Sequence, residues 1–207
     1  MMHFVLERVS EPEIEPILLD EMKRHLRGFD DITSEDTDIE GLITVAREWV
    51  EDYTGRALID QTWRMTVTGY ESGAIPLRRS PVLSLESFTS VGADGVETSL
   101  EDPGSPTINT FQIAEPDSKW PRLVPLTGAS WTAGTLRIVF RVGFADRSIS
   151  PQEGGEAVPR TVRQAIKMIA AHYYDLRAPV VVGTIASELP LGVKWLLASQ
   201  RCNNQLA

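Results

Sequence analysis

Apolar positions along this chain change their spacing twice, and the changes divide it into three stretches. In residues 16–27, Leu18, Met22 and Leu26 recur at i, i+4, i+8, which predicts a helix, with Gly28 as its stop and an acidic loop over 30–34. A stronger helix is predicted over 36–54. Its apolar set is Ile39, Leu42, Ile43, Ala46, Trp49, Val50 and Tyr53, with acidic residues in the first turn and Gly55 after the end. From Asp60 the period falls to two. Trp63, Met65 and Val67 alternate with Thr62, Arg64, Thr66 and Thr68, as in a half-buried strand. Further strands are expected at 75–77, 82–91, 97–100, 111–113 and 136–142, with Ala93-Asp94-Gly95 as a tight turn and 101–110 as a loop rich in proline.

Helical spacing returns after Gly154-Gly155. Pro159 opens a helix whose stripe is Val162, Ala165, Ile166, Ile169, Ala170, Tyr173 and Leu176, and Pro179 ends it. A connector over 180–188 leads to a short closing helix from about Leu191 to Arg201. The expected class is therefore α+β: a bundle of about four helices with a β-sheet or sandwich insertion between the second and third. The expected divisions are 1–59 for the first helices, 60–150 for the β insertion, and 151–207 for the last helices and tail.

Composition narrows the function classes. The chain has 207 residues, 42% hydrophobic and 24% charged, enough to bury a core without a disulfide or metal. One cysteine, Cys202, excludes an internal disulfide. No stretch reaches the roughly 20 apolar residues of a membrane span, and the start lacks the order of a secretory signal, so a soluble protein made inside the cell is expected. The net charge of −9 is uneven: residues 1–60 hold 16 acidic and 6 basic side chains (−10), and residues 158–207 hold 2 acidic and 6 basic (+4). Such ends suit complementary contacts between subunits or simply solvated helix faces, and a general nucleic-acid binder is disfavoured.

Catalytic chemistry finds little to stand on. His3, His25 and His172 lack metal-ligand or triad spacing, and Cys202 has no activating neighbours in sequence. Asp36, Asp38, Glu40 and Gly41 mimic the first half of a calcium loop, but the closing position is Arg47, so an acidic helix start is the better reading. The carboxylate pairs Asp30/Asp31 and Glu51/Asp52 read as solvated. Trp120-Pro121 and Trp131 fit either an aromatic face or anchors in a β core. No catalytic residue, metal ligand or cofactor is assigned, and no DNA-binding residue is identified. The closing helix, with Trp195, Leu196 and Leu197 between Lys194 and Arg201, fits docking on the helical core or insertion into a partner equally well.

The ordered set of local patterns resembles a known family. Leu19–Arg27 forms an opening "L-x-x-x-K-x-H-L-R" helix, and Ala46–Leu58 ends in "E-D-Y-T-G-R-A-L", followed by Gln61-Thr62-Trp63. Then come Ile75-Pro76-Leu77, Ser80-Pro81-Val82, Ala93-Asp94-Gly95, Trp120-Pro121, Val142-Gly143-Phe144, Val158-Pro159, the helix 165–177 and the segment 189–197. Together they resemble the gp6-like phage head–tail connector, or adaptor, proteins, including the adaptors of gene transfer agents. The long proline-rich loop 101–110 departs from the family pattern.

The resemblance implies a non-enzymatic, homo-oligomeric ring of about twelve copies beneath the portal protein of a phage-like particle. It would sit in the virion neck after assembly in the bacterial cytoplasm, with a stopper or tail terminator as the next partner. DNA would pass through its channel without sequence-specific binding, and no membrane is involved. The tail 191–207 would meet the portal, with Trp195, Leu196, Leu197 and Arg201 as candidate contacts. Other readings are a stopper or tail-completion protein, a DNA-binding packaging subunit, or a small enzyme with a dispersed site.

Overall fold

In a computed structural model, the structure describes residues 2–26, 33–100, 111–125, 134–144, 158–176 and 191–202. The expected features at Gly28, Asp30/Asp31, 101–110, Trp131, Gly154-Gly155 and 177–190 lie outside the described residues. Eight strands and four helices appear among the described ones, in a mixed α+β fold. Contacts gather the chain into two units, one of residues 1–12, 60–144 and 203–207, the other of residues 13–59 and 145–202.

The first unit is built of antiparallel strands. They are β1 (His3–Arg8), β2 (Gln61–Tyr70), β3 (Ile75–Pro76), β4 (Val82–Val91), β5 (Glu97–Ser99), β6 (Phe111–Ala114), β7 (Arg122–Pro125) and β8 (Gly134–Val142). One sheet has the order β1-β2-β8-β4-β5 and the other β3-β7-β6. In β2 the alternation expected from sequence is realised: Trp63, Met65 and Val67 are buried while Thr62, Arg64 and Thr66 are not. β8 is in register with it, setting Phe140 opposite Trp63, Ile138 opposite Met65 and Leu136 opposite Val67. Phe88 of β4 meets Phe111 of β6 edge-on at 5.6 Å between ring centroids, which joins the two sheets. At the turn after β4, Gly95 takes φ +79° and the Asp94 carboxylate accepts from the Val96 amide at 3.1 Å.

Two strands, β1 and β7, were not expected from sequence. β1 pairs along its whole length with β2, Val5 opposite Thr66 and Glu7 opposite Arg64, so residues 1–12 group with the strands and not with the first helices. Its own Phe4 lies under the Arg78 guanidinium, and Trp63 of β2 lies under those of Arg8 and Arg79.

The second unit holds the helices α1 (Leu19–Leu26), α2 (Asp36–Thr54), α3 (Arg160–Asp175) and α4 (Leu191–Ala198). α3 packs on α1, α2 and α4. Its core includes Met22, Ile39, Ile43, Val50, Val162, Ile166 and Ile169. Leu18, expected on the buried face of the first helix, precedes the helix and is exposed, and its neighbour Ile17 is buried instead. α2 ends as predicted, with Gly55 at φ +72° donating its amide to the Glu51 carbonyl at 2.8 Å. Pro159 is the residue before α3, one position earlier than expected.

The pair Glu51/Asp52, expected to be solvated, is split by the fold. Asp52 is exposed, whereas Glu51 is 4% exposed. One Glu51 oxygen accepts from Arg47 at 2.9 Å and the other from the Leu58 amide at 2.8 Å. Arg47, 2% exposed, also donates to Glu15 at 2.8 Å. Burial alone would lower the pKa of this guanidinium, but the carboxylates of Glu51, Glu15 and Glu48 outweigh it and raise it.

Removing one partner of a buried pair strands the other. Glu51→Ala is expected to destabilise the helical unit by about 3–5 kcal/mol in urea unfolding, and Glu51→Gln by less, since an amide oxygen still accepts from Leu58. Equal losses for the two variants would show that the charge pair carries the whole effect and that the hydrogen bond to Leu58 adds nothing.

Candidate functional site

The candidate site is the C-terminal segment and the surface that carries it. α4 is short and apolar, and its docking is set by Val193 and Leu197, both buried, with Gly192 lying toward the Met168 methyl group of α3. Beyond α4 the chain closes onto the end of α2. The Cys202 amide donates to the Thr54 carbonyl at 2.7 Å, and Arg56 donates to the Gln200 side chain at 3.0 Å. The Thr54 hydroxyl in turn donates to the Val50 carbonyl at 2.7 Å. One orphan carbonyl of the helix end, that of Thr54, therefore finds its partner in the last described residue of the chain.

The four candidate contacts are distributed unequally. Trp195 is 80% exposed, a large apolar side chain held outward by a helix whose other face is docked. Leu196 is half-buried. Leu197 is fully buried in its own unit, so the expectation that it meets a partner requires α4 to leave its seat. Arg201 is exposed, and its guanidinium lies 4.8 Å from the Tyr53 ring centroid. Tyr53 is itself stacked on Trp49, with centroids 5.0 Å apart and planes 9° from parallel. Residues 203–207 of the expected tail lie outside the described residues.

The residues weighed for chemistry stay apart. Among the described residues no group of three His, Cys, Asp or Glu side chains is arranged to hold a metal, and no helix is long and apolar enough to cross a membrane. His3 is exposed on β1, and His172 lies beside Tyr173 on α3. The calcium-like run falls in the first turns of α2, where helical geometry points its carboxylates to different sides and Asp36 pairs with Lys23 at 2.7 Å. Trp120, offered as a possible buried anchor, is an exposed residue.

Sequence reading missed how much of the charge is internal. Glu21 of α1 binds Arg163 at 2.6 Å and Lys167 at 3.0 Å, both on α3. Burial pushes its carboxyl pKa up, but the hydrogen bond from Lys167 and the charge of Arg163 outweigh this and hold it below the usual carboxylate value. The partners lie more than 140 positions away in sequence, so only the fold reveals them.

Residues 16–87 match the family model of the phage gp6-like head-tail connector proteins. The chain is similar to head–tail connectors. A chain in the neck of an empty gene transfer agent particle, a structure computed with C6 symmetry, is 26% identical, with TM-score 0.72 and 95% of each chain covered. A chain of the native gene transfer agent virion is also 26% identical, with TM-score 0.72, covering 95% of this chain and 94% of that one. In the neck of the native particle computed with C12 symmetry, a similar chain is 25% identical, with TM-score 0.70 and coverage of 95% and 94%. No curated protein sequence matches. The family match takes in α1, α2 and the Glu51 contacts, and the likeness to gene transfer agent particle chains covers nearly the whole chain.

The Glu21 pairs make stability depend on pH. A carboxyl whose pKa is lowered by folding adds stability above its unfolded pKa and loses it as pH falls through the folded one. Glu21→Gln is expected to lower stability by about 1 kcal/mol at pH 7. The difference from the parent should vanish as pH is lowered past the folded pKa, read by urea midpoints across pH. A difference that stayed constant down to that pH would contradict an ionic role.

Proposed function

We propose that this chain is a head–tail connector subunit of a phage-like particle, an adaptor that forms a ring of about twelve copies beneath the portal and continues the DNA channel. The observation that carries the reading is the end-to-end likeness to chains in gene transfer agent necks, at 26% identity and with 95% of both chains covered. The C12 symmetry of one matching neck supports a ring of this size. In this reading the strands β2–β8 are an insertion between α2 and α3, the helical unit is the ring's framework, and the next partner along the tail is a stopper or terminator protein. The particle neck is its place, reached by assembly in the bacterial cytoplasm.

The functional demands are mechanical. A conduit must hold its neighbours and let a polyanion pass, and a net charge of −9 disfavours gripping phosphates. The internal charges fit the first demand, because Lys23 and Glu21 tie α1 to α2 and α3, while Arg47 and Glu51 hold Glu15 and Leu58 against α2. Residues Trp195, Leu196, Leu197 and Arg201 remain the proposed portal contacts. Trp195 alone among them combines large apolar area with exposure, the properties of an interface anchor. Leu197 takes part only by holding α4 in place.

Two substitutions separate anchoring from support. Trp195→Ala is expected to weaken co-purification with the portal protein at least tenfold while leaving thermal unfolding unchanged, as for loss of a hot-spot aromatic. Leu197→Ala is expected to cost about 2–4 kcal/mol of stability, as for a buried leucine. Undiminished portal binding by folded Trp195→Ala would remove α4 from the portal interface.

A further inference from the structure

α2 carries two apolar stripes, and the helical unit buries one of them. The buried stripe is Ile39, Ile43, Ala46 and Val50. The second is Leu42, Val45, Trp49 and Tyr53, about a third of a turn around the helix. Val45 is 48% exposed and the other three are half-buried. Trp49 and Tyr53 are held in their stack, so little ordering is left to be done when something covers them.

The surroundings of this ridge are mostly acidic, with the guanidinium of the same chain's Arg201 over Tyr53 at one end. Asp38 and Asp52 are exposed beside it. Segment 36–54 holds six acidic side chains and one basic, a net of −5, and that one basic residue, Arg47, is buried. An aromatic and aliphatic centre with a charged rim is the make-up of a protein interface. Phosphate would be repelled by it. The ridge is about 17 Å long and so supplies the centre of a contact whose standard size is about 800 Å² per partner.

We infer that this ridge of α2 receives a second copy of the chain, through that copy's basic last quarter. The inference rests on the ring reading above and names the contact that closes it. Charge selects the occupant: with Arg163 and Lys167 held by Glu21, the last quarter presents Arg160, exposed at the start of α3, and Lys194, half-buried on α4. A ring needs two unlike faces on each subunit, and an acidic ridge on one copy against a basic face on the next satisfies that requirement. Such pairing also sets the direction of the contact, because ridge against ridge would set carboxylates together. Trp195 is left for the portal.

The test uses the full chain with the portal protein. Val45→Glu places a carboxylate on the ridge at an exposed position. It is expected to reduce the affinity of copies for one another at least tenfold, read as loss of the multi-copy complex in native mass spectrometry, with an unchanged melting temperature. In a Cys202→Ser background, Val45→Cys carrying a benzophenone is expected to cross-link to peptides from residues 158–202 of another copy. Normal assembly of Val45→Glu, or cross-links confined to the portal or to other segments, would overturn the inference while leaving the ring intact. Failure of the parent chain to form any multi-copy complex with the portal would overturn the ring reading as well.

Discussion

The contact on which the helical unit depends most is the buried bond between Arg47 and Glu51, with Glu51 also holding the Leu58 amide. Placing two charges in an interior is costly, and it is offset only when every lone pair and proton finds a partner. Here Glu51 takes the guanidinium on one oxygen and a backbone amide on the other, and Arg47 reaches Glu15 as well. The result fixes where the chain goes after α2. Gly55 turns it through a left-handed conformation, Glu51 catches it at Leu58, and β2 starts at Gln61. The same helix end receives the Cys202 amide. The stretch 46–58, the most specific part of the connector-like pattern, is thus a joint between the helical unit and the strands, with no reactive group in it.

Much of the fold was legible because local signals agreed with one another. α2 combined strict 3-and-4 spacing, an acidic first turn and a glycine stop, and its predicted bounds match the observed ones. β4 was bounded by Ser80-Pro81 and the Asp94-Gly95 turn, and its predicted bounds also match. β1 escaped because His3–Arg8 is a short alternating run beside a terminus with no turn signal, stabilised by pairing with β2, some sixty positions on. β7, which follows Trp120-Pro121 directly, was hidden because four residues are too few for a period of two to show. Periodicity also merged two stripes of α2 into one. It placed Leu42, Trp49 and Tyr53 with the core because they obey its spacing, and only neighbours in space distinguish the buried stripe from the half-exposed one.

The candidate site was half legible. The run Trp195-Leu196-Leu197 was marked as a contact segment by its apolarity, but hydropathy does not say which side of a short helix is docked. The fold assigns opposite tasks to residues two positions apart, Leu197 inward and Trp195 outward. Charge shows the same division. The acidic first quarter looked like one uniform surface, yet Glu15, Glu21, Asp36 and Glu51 join elements within the helical unit, leaving Asp38, Glu40 and Asp52 facing out. Of the second group, Asp38 and Asp52 lie beside the ridge of α2. A chain built this way commits its strongest charge pairs to its own rigidity and leaves an apolar surface edged with charge, a division of labour that would suit the proposed ring.

The most direct test of the account is the mass of the native complex formed when the purified chain is mixed with the portal protein of the same particle. The account predicts a single species of one portal ring carrying a full ring of about twelve copies of the chain, as the symmetry of a matching neck suggests. A portal ring that stays bare at concentrations far above those of assembly would contradict it.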